Sequence, residues 1–175
     1  MIESLKYPIG QFDSPAVVTL EIRRIWIEEM RALPKQLSLA VMNLSQAQLD
    51  TPYRPEGWSM RQVVHHVADS HMNSFIRLKL ALTEDSPLIK PYEEALWAML
   101  PDGSEPEIEI SLTLLEALHL RYVYLLEQLK EEQWNRSYRH PVNGDTRLDI
   151  HLGLYAWHGK HHVAHLTSLR QRMKW

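Results

Sequence analysis

A chain of 175 residues is long enough to bury a proper core and is expected to form one domain, 1–175. Hydrophobic residues make up 45% and charged residues 23%, and a net charge of -3 without any Lys/Arg cluster argues against a nucleic-acid partner. Cysteine is absent, so disulfides are excluded and any metal site must draw on nitrogen and oxygen ligands. No apolar run approaches a membrane span, and Met1-Ile-Glu-Ser-Leu-Lys-Tyr-Pro8 lacks the apolar core of a signal peptide. A cytoplasmic location is the default expectation.

Residues 1–17 carry Pro8, Gly10 and Pro15 and read as an irregular arm. From about Val18 to Leu44 apolar residues recur every three or four positions, with Leu37, Val41 and Leu44 on one face. Pro34 interrupts, which predicts either one kinked helix or two segments. The stretch 49–57 reads as a loop, after which Ser59 is the natural N-cap of a second helix running to about Thr83. Met60, Val64, Val67, Phe75, Leu78 and Leu82 form its apolar side. Beside that side runs a polar stripe of Ser59, His66, Ser70, Asn73 and Arg77, either a solvated flank or the wall of a cavity. His65 lies about 100° away from His66, near Met72 and Ile76. His71 lies further round and is either exposed or in the core.

The stretch 85–110 is rich in Pro and acid, with one short helix predicted over Glu93–Met99, and is long enough for a crossover or a lid. Its acid run, Asp102, Glu105, Glu107 and Glu109, reads as solvated surface. A third helix is predicted over Ser111–Leu129, with Ser111 as its cap. It holds a single Glu-x-x-His, Glu116 to His119; a di-iron carboxylate bundle needs two. A polar connector follows over 130–148, with a tight turn at Asn143-Gly144.

The last helix holds five of the ten histidines between His151 and His165. At about 100° per residue, His151, His158, His162 and His165 fall in a stripe roughly 60° wide, bordered by Leu154, Tyr155, Leu166 and Leu169. A buried imidazole needs a partner for each nitrogen, and one cation can satisfy several at once. His158 and His162 stand i,i+4 on one face, a spacing that zinc-binding helices use. His161 and His165 repeat the spacing about 70° out of phase at His161, so the first pair is preferred. Four helices, few strand signals and two long connections predict an all-α four-helix bundle. The long link between helices 2 and 3 allows those two helices to run parallel.

Three runs carry a family resemblance: Thr51-Pro-Tyr-Arg-x-x-Gly-Trp58, Arg61-Gln-Val-Val-His-His-Val-Ala-Asp-Ser-His-Met-Asn-Ser74, and Leu152-Gly-Leu-Tyr-x-Trp-His-x-x-His-His-x-Ala-His165. With Tyr7-Pro-Ile-Gly10 and Pro91-Tyr92, they make nearly the whole chain resemble the YfiT group of the DinB-like superfamily. The resemblance implies an up-down-down-up bundle, a homodimer, and one divalent metal, zinc or nickel, held by three histidines. It selects His66 over His65 as the ligand from helix 2, with Asp69 behind it, and His158 and His162 from helix 4. Ser70, Asn73, Arg77 and His165 become candidates for surrounding or pocket positions. Much of the superfamily has Gly-Gln after the last ligand, where this chain has Ala164-His165.

The group's label is metal-dependent hydrolase, and related members resemble thiol S-transferases that use bacillithiol or similar small thiols. Three neutral imidazoles leave the ion its full charge and can lower the pKa of bound water or of a thiol, so the ligands alone do not separate these chemistries. Hydrolysis also calls for a general base, and no carboxylate stands out near the ligand stripes. Thiol transfer would use Arg77, Asn73 and Arg54 for the thiol's carboxylates. A third reading is a protein that binds metal without catalysis, which a fourth ligand such as His165 would favour.

Overall fold

Thr19 accepts a hydrogen bond from the Ile22 N–H and opens the first long helix, α1, Leu20–Val41, in the computed structural model, which describes residues 2–175. Pro34 lies inside α1 without dividing it, so the sequence's two alternatives resolve to one helix. Having no N–H, Pro34 leaves the Met30 carbonyl without its helical donor. That freed acceptor is used by the site described below.

Ser59 caps the second long helix, α2, Met60–Thr83, through a capping box with Gln62: Ser59 Oγ accepts from the Gln62 N–H, and Gln62 Oε1 accepts from the Ser59 N–H. The third, α3, is Ile108–Glu127. It begins a turn earlier than Ser111, which is inside the helix and not its cap; the Ser111 hydroxyl pairs with His65 Nδ1 instead, at 2.7 Å. The fourth, α4, is Leu148–Met173 and ends on Lys174 in the left-handed region at φ 59°. Short helical turns at Ile2–Lys6, Gln46–Leu49, Glu94–Trp97 and Pro101–Ser104 fill the arm and the connections.

The connector before α4 is not merely polar coil. It carries a 3-10 turn, Glu131–Asn135, and an antiparallel pair, β1 Ser137–His140 with β2 Gly144–Arg147, in register from Ser137↔Arg147 to His140↔Gly144. Gly144 sits at φ +76°, where a Cβ is strained, and this supports the turn expected at Asn143-Gly144. The β1 backbone also holds the long connection: Ile89 N–H donates to Arg139 O, and Arg139 N–H donates to Pro87 O.

Side-chain pairs across the bundle fix the helix directions. His65 meets Ser111, His71 meets His119 and Ser74 meets Tyr122, so α2 and α3 run parallel. Ser70 meets His158 and Ser74 meets His151, so α4 runs against α2. Glu29 pairs with Lys160, and Arg170 donates to Ala40 O, so α4 runs with α1. The order is up-down-down-up, with the 84–107 link crossing between α2 and α3. No helix among the described residues is long and apolar enough to cross a membrane.

The core is in two parts. Met30, Leu78, Tyr122 and Leu152 belong to one apolar cluster, and Leu37, Val64, Leu115 and Leu166 to the other. His71 on α2, His119 on α3 and His158 on α4 fall at the break between them along the chain. This polar layer is where the site forms.

Candidate metal centre

His66 lies two turns into α2, on the face turned to α4; His158 and His162 lie one turn apart on α4. Ring centroids are 5.4 Å apart for His66 and His158, 4.8 Å for His66 and His162, and 4.5 Å for His158 and His162. One nitrogen from each lies within 4.8 Å of the others. Nitrogens bound tetrahedrally at 2.0–2.1 Å from one zinc are about 3.3 Å apart. The trio therefore needs to close by at most about 1.5 Å, within reach of side-chain rotation.

The chemistry of the donor set fits a cation. Burial pushes His66 down to about 4, and burial followed by the charge of neighbouring imidazoles holds His158 and His162 well below the ordinary value. All three are neutral at pH 7 and keep lone pairs to offer. His162 Nδ1 is buried with no hydrogen-bond partner, and His158 Nε2 has only the Ser70 hydroxyl, at 3.4 Å. A cluster so short of protons and donors is suited to binding a metal ion.

The three rings line a cavity of about 570 Å³ together with Ser70, Arg77 and Tyr155. The Arg77 guanidinium donates to Tyr155 OH at 3.3 Å, and no carboxylate pairs with it among the described residues. The polar stripe on α2 is thus a cavity wall at Ser70 and Arg77. Asn73 donates to the Asp69 carbonyl and lines an adjoining cavity of about 620 Å³, which shares Arg77, Tyr92 and Glu93 with the first.

One expectation needs correction. No hydrogen bond joins Asp69 to His66 among the described residues, so Asp69 does not orient that imidazole; burial and then the charge of Asp102 push its carboxyl up to about 6. His165 packs edge to face on the ligand candidate His162, with ring centroids 5.4 Å apart, but is not one of the three residues whose nitrogens converge. Its Nε2–H donates to Lys6 O at 3.0 Å and its ring stacks on Tyr53 at 4.1 Å, which ties down the N-terminal arm. Arg54 stays in its own loop, donating to Tyr53 OH and Pro55 O. His65 is held by Ser111 and by Pro106 O.

Several cavity residues lie outside the sequence reading. Trp58 packs its ring 4.6 Å from His66, the β1 end supplies His140, and the long connection supplies Tyr92, Glu93 and Glu94. The acid run later in that connection, Asp102, Glu105, Glu107 and Glu109, is exposed, as expected of solvated surface. Glu93 and Glu94, exposed as well, bring carboxylates to the lining of the cavity.

A family profile described as the DinB superfamily matches residues 29–166. The chain belongs to the DinB superfamily. This DinB protein is 54% identical over 174 residues to a protein of Bacillus cereus (strain ATCC 10987 / NRS 248) named "Putative metal-dependent hydrolase", covering 99% of this chain and 100% of the relative. A relative from Bacillus thuringiensis subsp. konkukian (strain 97-27), with the same description, is also 54% identical over 174 residues, with the same coverage. Among solved structures, YfiT from Bacillus subtilis, described as "a probable metal-dependent hydrolase with an unusual four-helix bundle topology", matches with TM-score 0.96 and 46% identity over 98% of this chain and 99% of that one. The four-helix bundle protein TT2238 matches with TM-score 0.58 and 20% identity, over 83% of this chain and 98% of that one, a likeness of fold alone.

Proposed function

We propose that this DinB-superfamily protein is a metal-dependent hydrolase in which His66, His158 and His162 hold one divalent cation, zinc or nickel. The observation that carries this reading is the convergence of three neutral imidazoles on a cavity large enough for a small molecule. A divalent ion in such a three-nitrogen site acts as a Lewis acid and lowers the pKa of a coordinated water toward about 7. The chain's own residues supply the remaining functions. Glu93 and Glu94 bring carboxylates that can accept a proton, which removes the objection that no base is near. Arg77, without an acidic partner, offers two-point binding to an anionic group of the substrate. Trp58 and Tyr92 supply flat apolar walls. The names borne by the Bacillus relatives agree with this reading.

A second reading, transfer of a small thiol to an electrophile, is favoured by Arg77 and by Lys90 in the adjoining cavity, which suit a thiol that carries carboxylates. A purely metal-binding role has less support, because the histidines whose nitrogens converge number three and His165 is not among them as a fourth ligand. Product analysis separates the first two. Zinc- or nickel-loaded protein is incubated with activated esters and amides, and separately with a thiol plus a reactive electrophile. Hydrolysis that is lost in His158→Ala supports the hydrolase. Conjugate formation with no hydrolysis overturns it in favour of transfer, and neither product overturns both.

A further inference from the structure

We propose that His71 and His119 form a hydrogen-bonded chain from His158 to the Met30 carbonyl, and that this chain sets the tautomer of His158 so that Nε2 presents its lone pair to the cation. The inference rests on the metal-site reading for its purpose, though not for its geometry.

The chain is anchored by an atom that can only accept. His119 Nδ1 lies 2.7 Å from Met30 O, so Nδ1 carries the proton. Met30 O is free to accept because residue 34, whose N–H would bond it in an uninterrupted helix, is Pro34. His119 is buried, with one proton in its neutral form, so its Nε2 must be an acceptor. His71 Nδ1 lies 2.9 Å from that nitrogen and must therefore donate. His71 is fully buried as well, which leaves its Nε2 as an acceptor in turn. His158 Nδ1, 3.3 Å from His71 Nε2, then carries the proton, and His158 Nε2 is left bare beside the Ser70 hydroxyl.

One carbonyl on α1 thus decides, through α3 and α2, which nitrogen of an α4 ligand is free. His66 and His162 have no such support, since neither ring makes a hydrogen bond among the described residues. His158 is the pre-oriented member of the trio. His71 and His119 are positioning residues, and a partner on the far nitrogen of a ligand histidine typically changes metal affinity 10–100-fold.

The test reads the tautomer directly. In metal-free, 15N-labelled wild type, a long-range 1H–15N spectrum of the ring of His158, assigned by its loss in His158→Ala, should show a protonated Nδ1 and an unprotonated Nε2. In His119→Leu that preference should fade, and zinc affinity measured against a competing chelator should fall about 10–100-fold. His119→Gln should restore affinity to within a few-fold, because its amide can donate to Met30 O and accept from His71. A protonated Nε2 on wild-type His158 overturns the proposal, as does wild-type zinc affinity in a folded His119→Leu. If His119→Leu does not fold by circular dichroism, the wild-type spectrum decides alone. If wild type takes up no zinc or nickel, the metal reading fails, while the tautomer is still read and judged separately.

Discussion

His66 meets His162 edge to face, with ring centroids 4.8 Å apart and planes inclined by 66°. Two residues from antiparallel helices thereby bring buried ring nitrogens together with no hydrogen bond between them among the described residues, an arrangement that costs free energy until a cation arrives. Zinc or nickel should therefore stabilise the fold as well as equip it. At 100 times the dissociation constant, linkage gives about 2.7 kcal/mol. For a chain of this size that raises the melting temperature by about 5–10 °C. The gain should vanish in His66→Ala and His162→Ala. Differential scanning calorimetry with and without metal checks this, alongside elemental analysis of protein made without an affinity tag; equal metal content in wild type and the variants would rule out the ligand assignment.

Acid should unfold the metal-free protein early. Burial lowers His151 to about 3, and His66 and His119 to about 4. Between those values and the ordinary 6.5 the unfolded chain binds protons that the folded chain refuses, so stability is fully present above 6.5 and falls as the pH drops. Each such group contributes a slope of up to about 1.4 kcal/mol per pH unit. Asp69, raised to about 6, acts in the opposite sense, but it is one group against several. Urea unfolding at pH 7 and pH 5 should give a clearly lower midpoint at pH 5; an unchanged midpoint would contradict the burial argument.

The metal pair on α4 is visible in the sequence because i,i+4 spacing and helix phase lie within one element. The choice of His66 over His65 is not, since phase leaves the stripe of His66 open between a solvated flank and a cavity wall and sets His65 near Met72 and Ile76; the family resemblance selects His66. His71 and His119 escape notice for a different reason. Their partners lie on other helices, and their anchor is a carbonyl that matters only because Pro34 cannot donate to it. The same proline reads in sequence as a defect of α1. The strand pair is hidden because each strand has four residues and little apolar alternation. Ser111 misleads as a cap because a serine just before an apolar run also suits a side-chain contact, here with His65.

Asp69→Asn should stabilise the protein at neutral pH. The carboxyl, raised to about 6 by burial and by Asp102, is easier to ionise in the unfolded chain, so its contribution is favourable below about 3.8 and is lost as the pH rises through 6. An amide removes the cost of holding a charge there. The expected gain at pH 7.5 is about 1 kcal/mol after allowance for solvent screening, shrinking toward zero near pH 4. Thermal melts of both proteins at the two pH values check the direction. A loss of stability at pH 7.5 would mean that the carboxylate has a stabilising role.

Tyr138→Phe should weaken the fold without touching metal affinity. His151 is fully buried, with Nδ1 2.9 Å from Tyr138 OH and Nε2 2.9 Å from Ser74 Oγ and 3.0 Å from Tyr122 OH. The phenylalanine leaves one buried ring nitrogen without a partner, which costs about 1–3 kcal/mol. His151 stands about two helical turns before His158 on α4, and none of its hydrogen bonds reaches the trio. Chemical denaturation should show the loss, and zinc titration should show a dissociation constant within a factor of about two of wild type once both proteins are folded. A tenfold weaker affinity would show that this network and the histidine trio are energetically one unit.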